Sequence, residues 1–305
     1  MLDKEKVLII KAGGGYFNQG VEAEGYGVES PYKGRGIVLR ILREVIFRMP
    51  FSLKKLWYNK HISEKSYDYI LVWDVLITRD FLNWLSKEQP TAQLNFVYGN
   101  MVGKSRHLMP SQIPANYRVW SYDKGDCEKF HLNLFHSNPY FKCFVKPLQT
   151  PKYDVFYVGS DKGRAEYILS LEKEMLSVGL RTNFVIVKDG RLSRNKSYYK
   201  PALPYDAVTD IVAESKAVLN IIMPGQVGIT LRDLEALLIG VKLITNNENI
   251  VKADFYHPDN VYILRGTNID GLKEFLEKPM YHISNEIKSK CDFSAFVEEI
   301  ISDER

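Results

Sequence analysis

Short apolar runs alternate along the chain with amphipathic stretches of helical length. KVLII, YILVW, QLNFVY, YRVWS, YDVFYVG, RTNFVIV, AVLNIIM and VKLIT are nearly continuous in apolar residues and are bounded by charged residues or glycine. Runs of this kind predict strands covered on both faces, as in a parallel sheet. Between them, TRDFLNWLSKEQ, DKGDCEKFHL, RAEYILSLEKEMLSVGL and DAVTDIVAESK carry helical periodicity, and 268–305 reads as further helices. Strands separated by helix-length crossovers predict an α/β fold. The alternation restarts after LQTPKY, a proline-containing segment that marks a linker. Expected domains are therefore 1–148 and 149–280, with a helical tail at 281–305. A strand running into a glycine turn occurs in both halves, at Gly13 and at Gly159, which points to two similar α/β halves facing each other.

The stretch Met223–Asn246, MPGQVGITLRDLEALLIGVKLITN, is the densest in signals. Gly225 and Gly228 permit a tight turn or close approach of a ligand to the backbone. Thr230 followed by Asp233 forms a capping box that opens a helix. Leu231, Leu234 and Leu238 define a core face. Arg232 and Glu235 lie elsewhere on the helix, one turn apart, so Gln at Glu235 is expected to cost little stability. Gly240 ends the helix and VKLIT is the next strand. Free amides at the helix start suit an anion such as a diphosphate.

Glu235, Ala236, Gly240, Ile244, Thr245 and Asn246 match a pattern E-A-x-x-x-G-x-x-x-I-T-N, and Gly228, Thr230, Arg232 and Glu235 match G-x-T-x-R-x-x-E. In these residues the chain resembles sugar-nucleotide-dependent glycosyltransferases of the GT-B fold, in particular those of bacterial capsule and lipopolysaccharide synthesis. The resemblance spans about Tyr153 to Leu264. It implies two Rossmann-like domains facing across a cleft, with the nucleotide sugar on the second domain, an acceptor on the first and a C-terminal helix that crosses back to the first. The acceptor is expected to be lipid-linked or an oligosaccharide. Many retaining members carry a second glutamate eight residues before the first; here that position is Val227, which leaves the stereochemical outcome open. A polyol-phosphate transferase or sugar-nucleotide epimerase on the same fold, or a non-catalytic nucleotide-sugar-binding subunit, are the alternatives.

Composition narrows the setting. The 305 residues are 45% hydrophobic and 26% charged, with a net charge of +4, which is ordinary for a globular protein and no sign of nucleic-acid binding. Cys127, Cys143 and Cys291 have no metal-ligand spacing and fit a reducing cytoplasm. The start MLDKEK does not read as a signal peptide, and no run is long enough to span a bilayer. Charge is uneven, however. Between Lys33 and Lys60, Lys33, Arg35, Arg40, Arg43, Arg48, Lys54, Lys55 and Lys60 stand against the single acid Glu44. GIVLRILREVIFR within this segment reads as a basic amphipathic helix. It fits either a core helix with a solvated face or contact with an anionic membrane surface, and the second reading places the protein at the inner membrane face.

Candidate chemistry follows the glycine turns. Gly159, Lys162 and Arg164, after a strand, combine close backbone approach with two cations, as a diphosphate requires; the bland reading pairs Arg164 with Glu166 or Glu172. Tyr205 either stacks on a nucleotide base or plugs the core. Gly13, Gly14 and Gly15 lack the glycine three residues further on that a dinucleotide fingerprint needs, since Asn18 stands there. They form either an acceptor-side loop or a tight turn. A proton-accepting group is sought at strand ends in the first half. Asp74 closes an apolar strand and reads as the catalytic base or as a helix cap ahead of TRDF; Asp123, and Glu22 or Glu24 in the loop after Gly15, are the other candidates. Catalytic roles are thus assigned to Asp74 and Glu235, and sugar-donor binding to Gly159, Lys162, Arg164, Tyr205, Gly228, Thr230, Arg232 and Glu235. The sequence has no HExxH, DxD or GxSxG, so no metal is implied. No cofactor is expected beyond the nucleotide diphosphate sugar as substrate.

Overall fold

The computed structural model describes residues 2–34, 46, 52–103, 108–190, 194–223 and 228–302. The chain divides into two compact units, Met1–Phe141 with Phe293–Arg305, and Lys142–Asp292. The boundaries expected from sequence were 148/149 and 280/281. The observed ones follow the side chains: Tyr140 and Phe141 are buried with the first unit, while Phe144 packs edge-on against Tyr205 of the second, ring centroids 4.8 Å apart. Just inside the second unit at both crossings, Lys142 and Asp292 form an ion pair.

The first unit is built on a six-stranded sheet in the order β2-β1-β3-β4-β5-β6. Its strands are β1 (Val7–Ile10), β2 (Gly27–Glu29), β3 (Tyr69–Trp73), β4 (Gln93–Tyr98), β5 (Tyr117–Ser121) and β6 (Asn133–Leu134). Every pairing is parallel, with Leu8 opposite Ile70 and Phe96 opposite both Val72 and Val119. All four residues of β1 are buried, as expected for a strand covered on both faces. α1 (Tyr16–Ala23), α2 (Arg79–Glu88) and α3 (Lys124–Phe130) follow β1, β3 and β5. Thr78 caps α2 by accepting from the Phe81 amide at 3.2 Å. Phe81, Leu82 and Leu85 turn inward from it.

The two ends of segment 33–60, which belongs to the first unit, lie side by side. Tyr32 bridges Tyr58, Lys33 N donates to Trp57 O at 2.8 Å, and Asn59 N donates to Pro31 O at 3.1 Å. The expected basic helix GIVLRILREVIFR lies outside the described residues, except for Ile46. Lys54, at the returning end, pairs with Asp80 at 2.6 Å.

The second unit carries a five-stranded sheet in the order β11-β10-β9-β7-β8, again with every pairing parallel. Its strands are β7 (Tyr153–Ser160), β8 (Thr182–Val187), β9 (Ser215–Asn220), β10 (Lys242–Thr245) and β11 (Val261–Ile263). Its helices are α4 (Ala165–Ser177), α5 (Tyr205–Ala213), α6 (Leu231–Ile239), α7 (Leu272–Glu277) and α8 (Asn285–Ser289). In each sheet the strand order reverses once, between β1 and β3 and between β7 and β9. Open α/β sheets bind ligands beyond the carboxyl ends of the strands at such a reversal.

The last helix, α9 (Phe293–Ile301), belongs to the first unit. It buries Phe293, Phe296, Val297 and Ile300. Phe293 meets Phe141 at 4.7 Å, Phe296 meets Trp73 at 5.5 Å, and Phe17 of α1 meets Trp73 at 4.9 Å. Gly20 of α1 faces the Phe141 ring so closely that a Cβ there would overlap it. Gly20→Ala is therefore expected to destabilise the protein by roughly 1–3 kcal/mol, despite the better helix propensity of alanine. Thermal unfolding checks this; an unchanged or raised melting temperature would mean that Phe141 yields at no cost.

Candidate functional site

The turn after β7 is fixed by its own side chains. Lys162 and Gly163 take left-handed conformations, with φ of 47° and 77°. The Asp161 carboxylate accepts from the Ala165 amide at 2.9 Å and from the Tyr199 hydroxyl at 2.5 Å. The Tyr199 bond is the main reason the Asp161 carboxyl sits below its ordinary range. The Lys162 amide donates to both oxygens of Asp189, at 2.8 and 2.9 Å. The Lys162 ammonium is exposed and has no partner among the described residues. Arg164 pairs with neither Glu166 nor Glu172. Its guanidinium donates to Ser160 O at 2.9 Å and to Ile221 O, the carbonyls at the tips of β7 and β9, and its Nε donates to Asp161 O at 3.4 Å.

The start of α6 meets the same strand tips. Thr230 and Asp233 form the expected capping box, with the Thr230 amide 2.8 Å from Asp233 Oδ2. Asn220, the last residue of β9, donates to Thr230 Oγ1 at 3.0 Å and to Asp233 Oδ1 at 2.7 Å. Burial holds the Asp233 carboxyl above its ordinary range, opposed by the Thr230 and Asn220 bonds. Asn246, just past β10, accepts from the Ile222 amide at 2.8 Å, and Asn247 donates to Gly228 O at 3.4 Å. Gly228, Thr230, Arg232 and Arg164 thus gather at the carboxyl ends of β7, β9 and β10. Gly225 lies outside the described residues.

Two expectations about α6 are corrected. Its core side is Leu234, Ala236, Leu237 and Ile239, whereas Leu231 and Leu238 are only half-buried. Glu235 is not on an open face: it is fully buried. One oxygen accepts from Arg232, which is 16% exposed, and the other from the Tyr205 hydroxyl at 2.9 Å. The helix packs against the sheet on one side and against α5 on another, so polar residues between these contacts are enclosed too. Tyr205 accordingly ties α5 to α6 while its ring lies against Phe144.

In the first unit the reversal between β1 and β3 collects Asp74 and the glycine loop. Asp74 is fully buried one residue past β3, its amide donating to Val97 O at 3.1 Å. It does not cap α2, because Thr78 does. Asp123 is a cap instead, accepting from the Asp126 amide at 2.8 Å. Glu22 lies within α1 and Glu24 at its end, not in the loop after Gly15. Lys11, one residue past β1, has its ammonium 4.5 Å above the Phe17 ring; burial lowers its pKa and the charge of Asp74 opposes that. Gly13 and Gly15 have φ of 104° and 81°, and a Cβ on Gly13, Gly14 or Gly15 would meet nothing within 4 Å. The loop is open, and the backbone at Gly13 and Gly15 takes angles that favour glycine. Among the described residues no group of His, Cys, Asp and Glu is arranged to hold a metal ion.

Residues that sequence reasoning passed over are Asp161, Asn220 and Tyr157. Asp161 carried a legible signal, an aspartate opening a glycine turn; the other two looked like ordinary strand residues.

The Glu235 geometry reverses the stability expectation. Glu235→Gln removes the negative charge that pairs with the Arg232 guanidinium. The loss is expected on the order of 2 kcal/mol, less than for a pair shut off from water on both sides. Tyr205→Phe removes one bond to a charged acceptor, about 1.5 kcal/mol. Urea unfolding of both variants measures this. A Glu235→Gln variant as stable as the parent would mean that the pair contributes nothing.

No protein-family model matches this chain, and no curated protein matches it by sequence. Solved structures do. The chain is similar to sucrose-phosphate synthase from Thermosynechococcus elongatus, with 10% identity, 90% of this chain and 89% of that chain covered, and a TM-score of 0.53. It is also similar to the catalytic domain of starch synthase IV from Arabidopsis thaliana bound to ADP and acarbose, with 10% identity, 99% and 96% covered, and a TM-score of 0.50. At such identity the likeness is one of fold: the chain has the GT-B fold, two Rossmann-like units each on a parallel sheet.

Proposed function

We propose that the protein is a glycosyltransferase that moves a sugar from a nucleotide diphosphate sugar to an acceptor in cell-surface polysaccharide or lipopolysaccharide synthesis. The observation that carries this reading is the gathering of Gly159, Arg164, Gly228, Thr230 and Arg232 at the strand reversal of the second unit. The starch synthase neighbour was solved with ADP, and the residue pattern around Glu235 resembles that of sugar-nucleotide transferases.

The leaving group of such a reaction is a nucleoside diphosphate, whose growing negative charge must be met by fixed dipoles or cations. Lys162, Arg164 and Arg232 supply the cations. The start of α6 is a weaker anion seat than its dipole alone implies, because the capping carboxylate of Asp233 already occupies the Thr230 amide. The diphosphate is therefore assigned mainly to the glycine turn. Glu235 is assigned the sugar-donor hydroxyls. A carboxylate offers about four lone-pair positions, and Arg232 and Tyr205 engage two of them. In the first unit, the Gly13–Gly15 loop is assigned to the acceptor, and Asp74 to the acceptor hydroxyl proton as general base.

The test is turnover of labelled nucleotide sugars with a cell-envelope extract. A transferase releases nucleoside diphosphate only when acceptor is present. Release of the monophosphate, conversion of the sugar without transfer, or binding without turnover would each replace this reading. Lys162→Ala is the cleanest site variant, since that ammonium holds nothing in place. It is expected to weaken nucleoside diphosphate binding by about 1.5 kcal/mol, the low end for a charge-assisted contact, and to leave nucleoside binding unchanged. Equal loss for both ligands would remove the phosphate role.

Peripheral contact with an anionic membrane through residues 33–60, at the cytoplasmic face, completes the proposal. Among the described residues no helix is long and apolar enough to cross a membrane. Anionic vesicles are expected to retain the protein at low salt and release it at high salt, and Arg40, Arg43 and Arg48 changed together to Gln to abolish retention. A wild-type protein that ignores such vesicles would leave the segment as a solvated basic face.

A further inference from the structure

Tyr157 is left over by this account of the site. It lies in β7, only 2% exposed, with its ring 5.6 Å from Phe184. Val155, on the same face of the strand, is aliphatic, and a phenylalanine at 157 would fill the core equally well. The hydroxyl is what needs explaining. It is buried and has no hydrogen-bond partner among the described residues, a condition that costs stability.

Its position narrows the explanation. Residue 159 shares a face with 157, because side chains alternate along a strand. A Cβ on Gly159 would lie 2.8 Å from Tyr157 Oη and 3.7 Å from Arg164 Nη2. The bare glycine therefore gives the phenol room to reach the strand tip, where its hydroxyl and the Arg164 guanidinium flank one spot. Gly159 itself is partly exposed, so the approach to that spot runs past a residue with no side chain. Positive charge from both Arg164 and Arg232 acts on the hydroxyl, yet burial outweighs it and holds the phenol above its ordinary pKa. Asp161 and Asp189 act on it in the opposite sense to the cations. The group is thus a protonated O–H with the Arg164 guanidinium across one small spot from it, which suits an anionic oxygen as acceptor.

We propose that Tyr157 Oη is the uncharged hydrogen-bond donor of the diphosphate seat, acting beside Arg164 and Arg232 on the nucleoside diphosphate of the substrate. The proposal rests on the sugar-donor site assigned above and names a contact that the glycine turn and its cations do not supply.

Calorimetric titration of wild type and Tyr157→Phe with ADP, UDP and GDP and with the matching nucleosides tests it, together with the melting temperature of each ligand-free protein. The expected result is about a tenfold loss of affinity for the preferred nucleoside diphosphate, roughly 1.4 kcal/mol. Nucleoside affinity should be unchanged, and the ligand-free variant should melt at the same temperature or higher, because a buried unsatisfied group is gone. Undiminished diphosphate affinity would overturn the assignment. So would an equal loss for nucleoside and diphosphate, or a lower melting temperature of the ligand-free variant, which would reveal a structural partner for the hydroxyl. A wild type that binds none of the diphosphates would defeat the sugar-donor site itself, a different outcome from a wild type that binds and a variant that binds as well.

Discussion

The guanidinium of Arg164 holds together the part of the second unit that matters most for chemistry. It donates to the carbonyls at the tips of β7 and β9, the two strands between which the sheet order reverses. A reversal leaves the loops beyond neighbouring strands running to opposite faces of the sheet, and nothing in the ladder joins them past its last bond. Arg164 supplies that link with a planar group whose N–H donors point in fixed directions. The same residue then has two roles that do not compete. Carbonyl acceptors satisfy its hydrogens without cancelling its charge. A carboxylate partner such as Glu166 would have neutralised that charge.

Glu235 presents the opposite arrangement. Its charge is matched by Arg232 and its second oxygen by Tyr205, so the group is enclosed and neutralised as a pair. Buried ion pairs contribute little net stability, while breaking one is costly. A glutamate kept in such a place, where a leucine would pack, fits a residue retained for what it can accept. The Asn220, Thr230 and Asp233 network beside it is likewise partnered: the Asp233 oxygens accept from Asn220 and from the Thr230 amide across a strand-to-helix connection.

The sequence disclosed most of the fold because parallel strands covered on both faces are written as unbroken apolar runs. β1, β3, β4, β7, β8 and β9 were legible for that reason. The edge strands β2, β6 and β11 were not, having three, two and three residues, too few to form a pattern. α1 escaped because it follows three glycines and contains a fourth, Gly20, whose lack of a side chain serves contact with Phe141 rather than a turn. The site was half legible. The capping box and the glycine turn are local and could be read. The enclosure of Glu235 depends on Tyr205, thirty positions away in sequence, and the orphaned hydroxyl of Tyr157 depends on the absence of an acceptor, which no local pattern records.

Asp74 completes the contrast between the two units. Its alternative reading as a helix cap has lost its support, since Thr78 performs that role. What remains is a carboxylate fully enclosed at the reversal of the first sheet, beside a lysine whose ammonium is itself partly removed from water. Burying such a group is expensive unless it is compensated. The first unit thus presents an acid at its reversal and the second presents cations at its own. Sugar transfer from a nucleotide diphosphate makes two electrostatic demands, a base for the acceptor proton and positive charge for the departing diphosphate. Under the proposed function each demand falls to a different sheet, at the one place in that sheet where the strand order leaves the backbone ends open to a ligand.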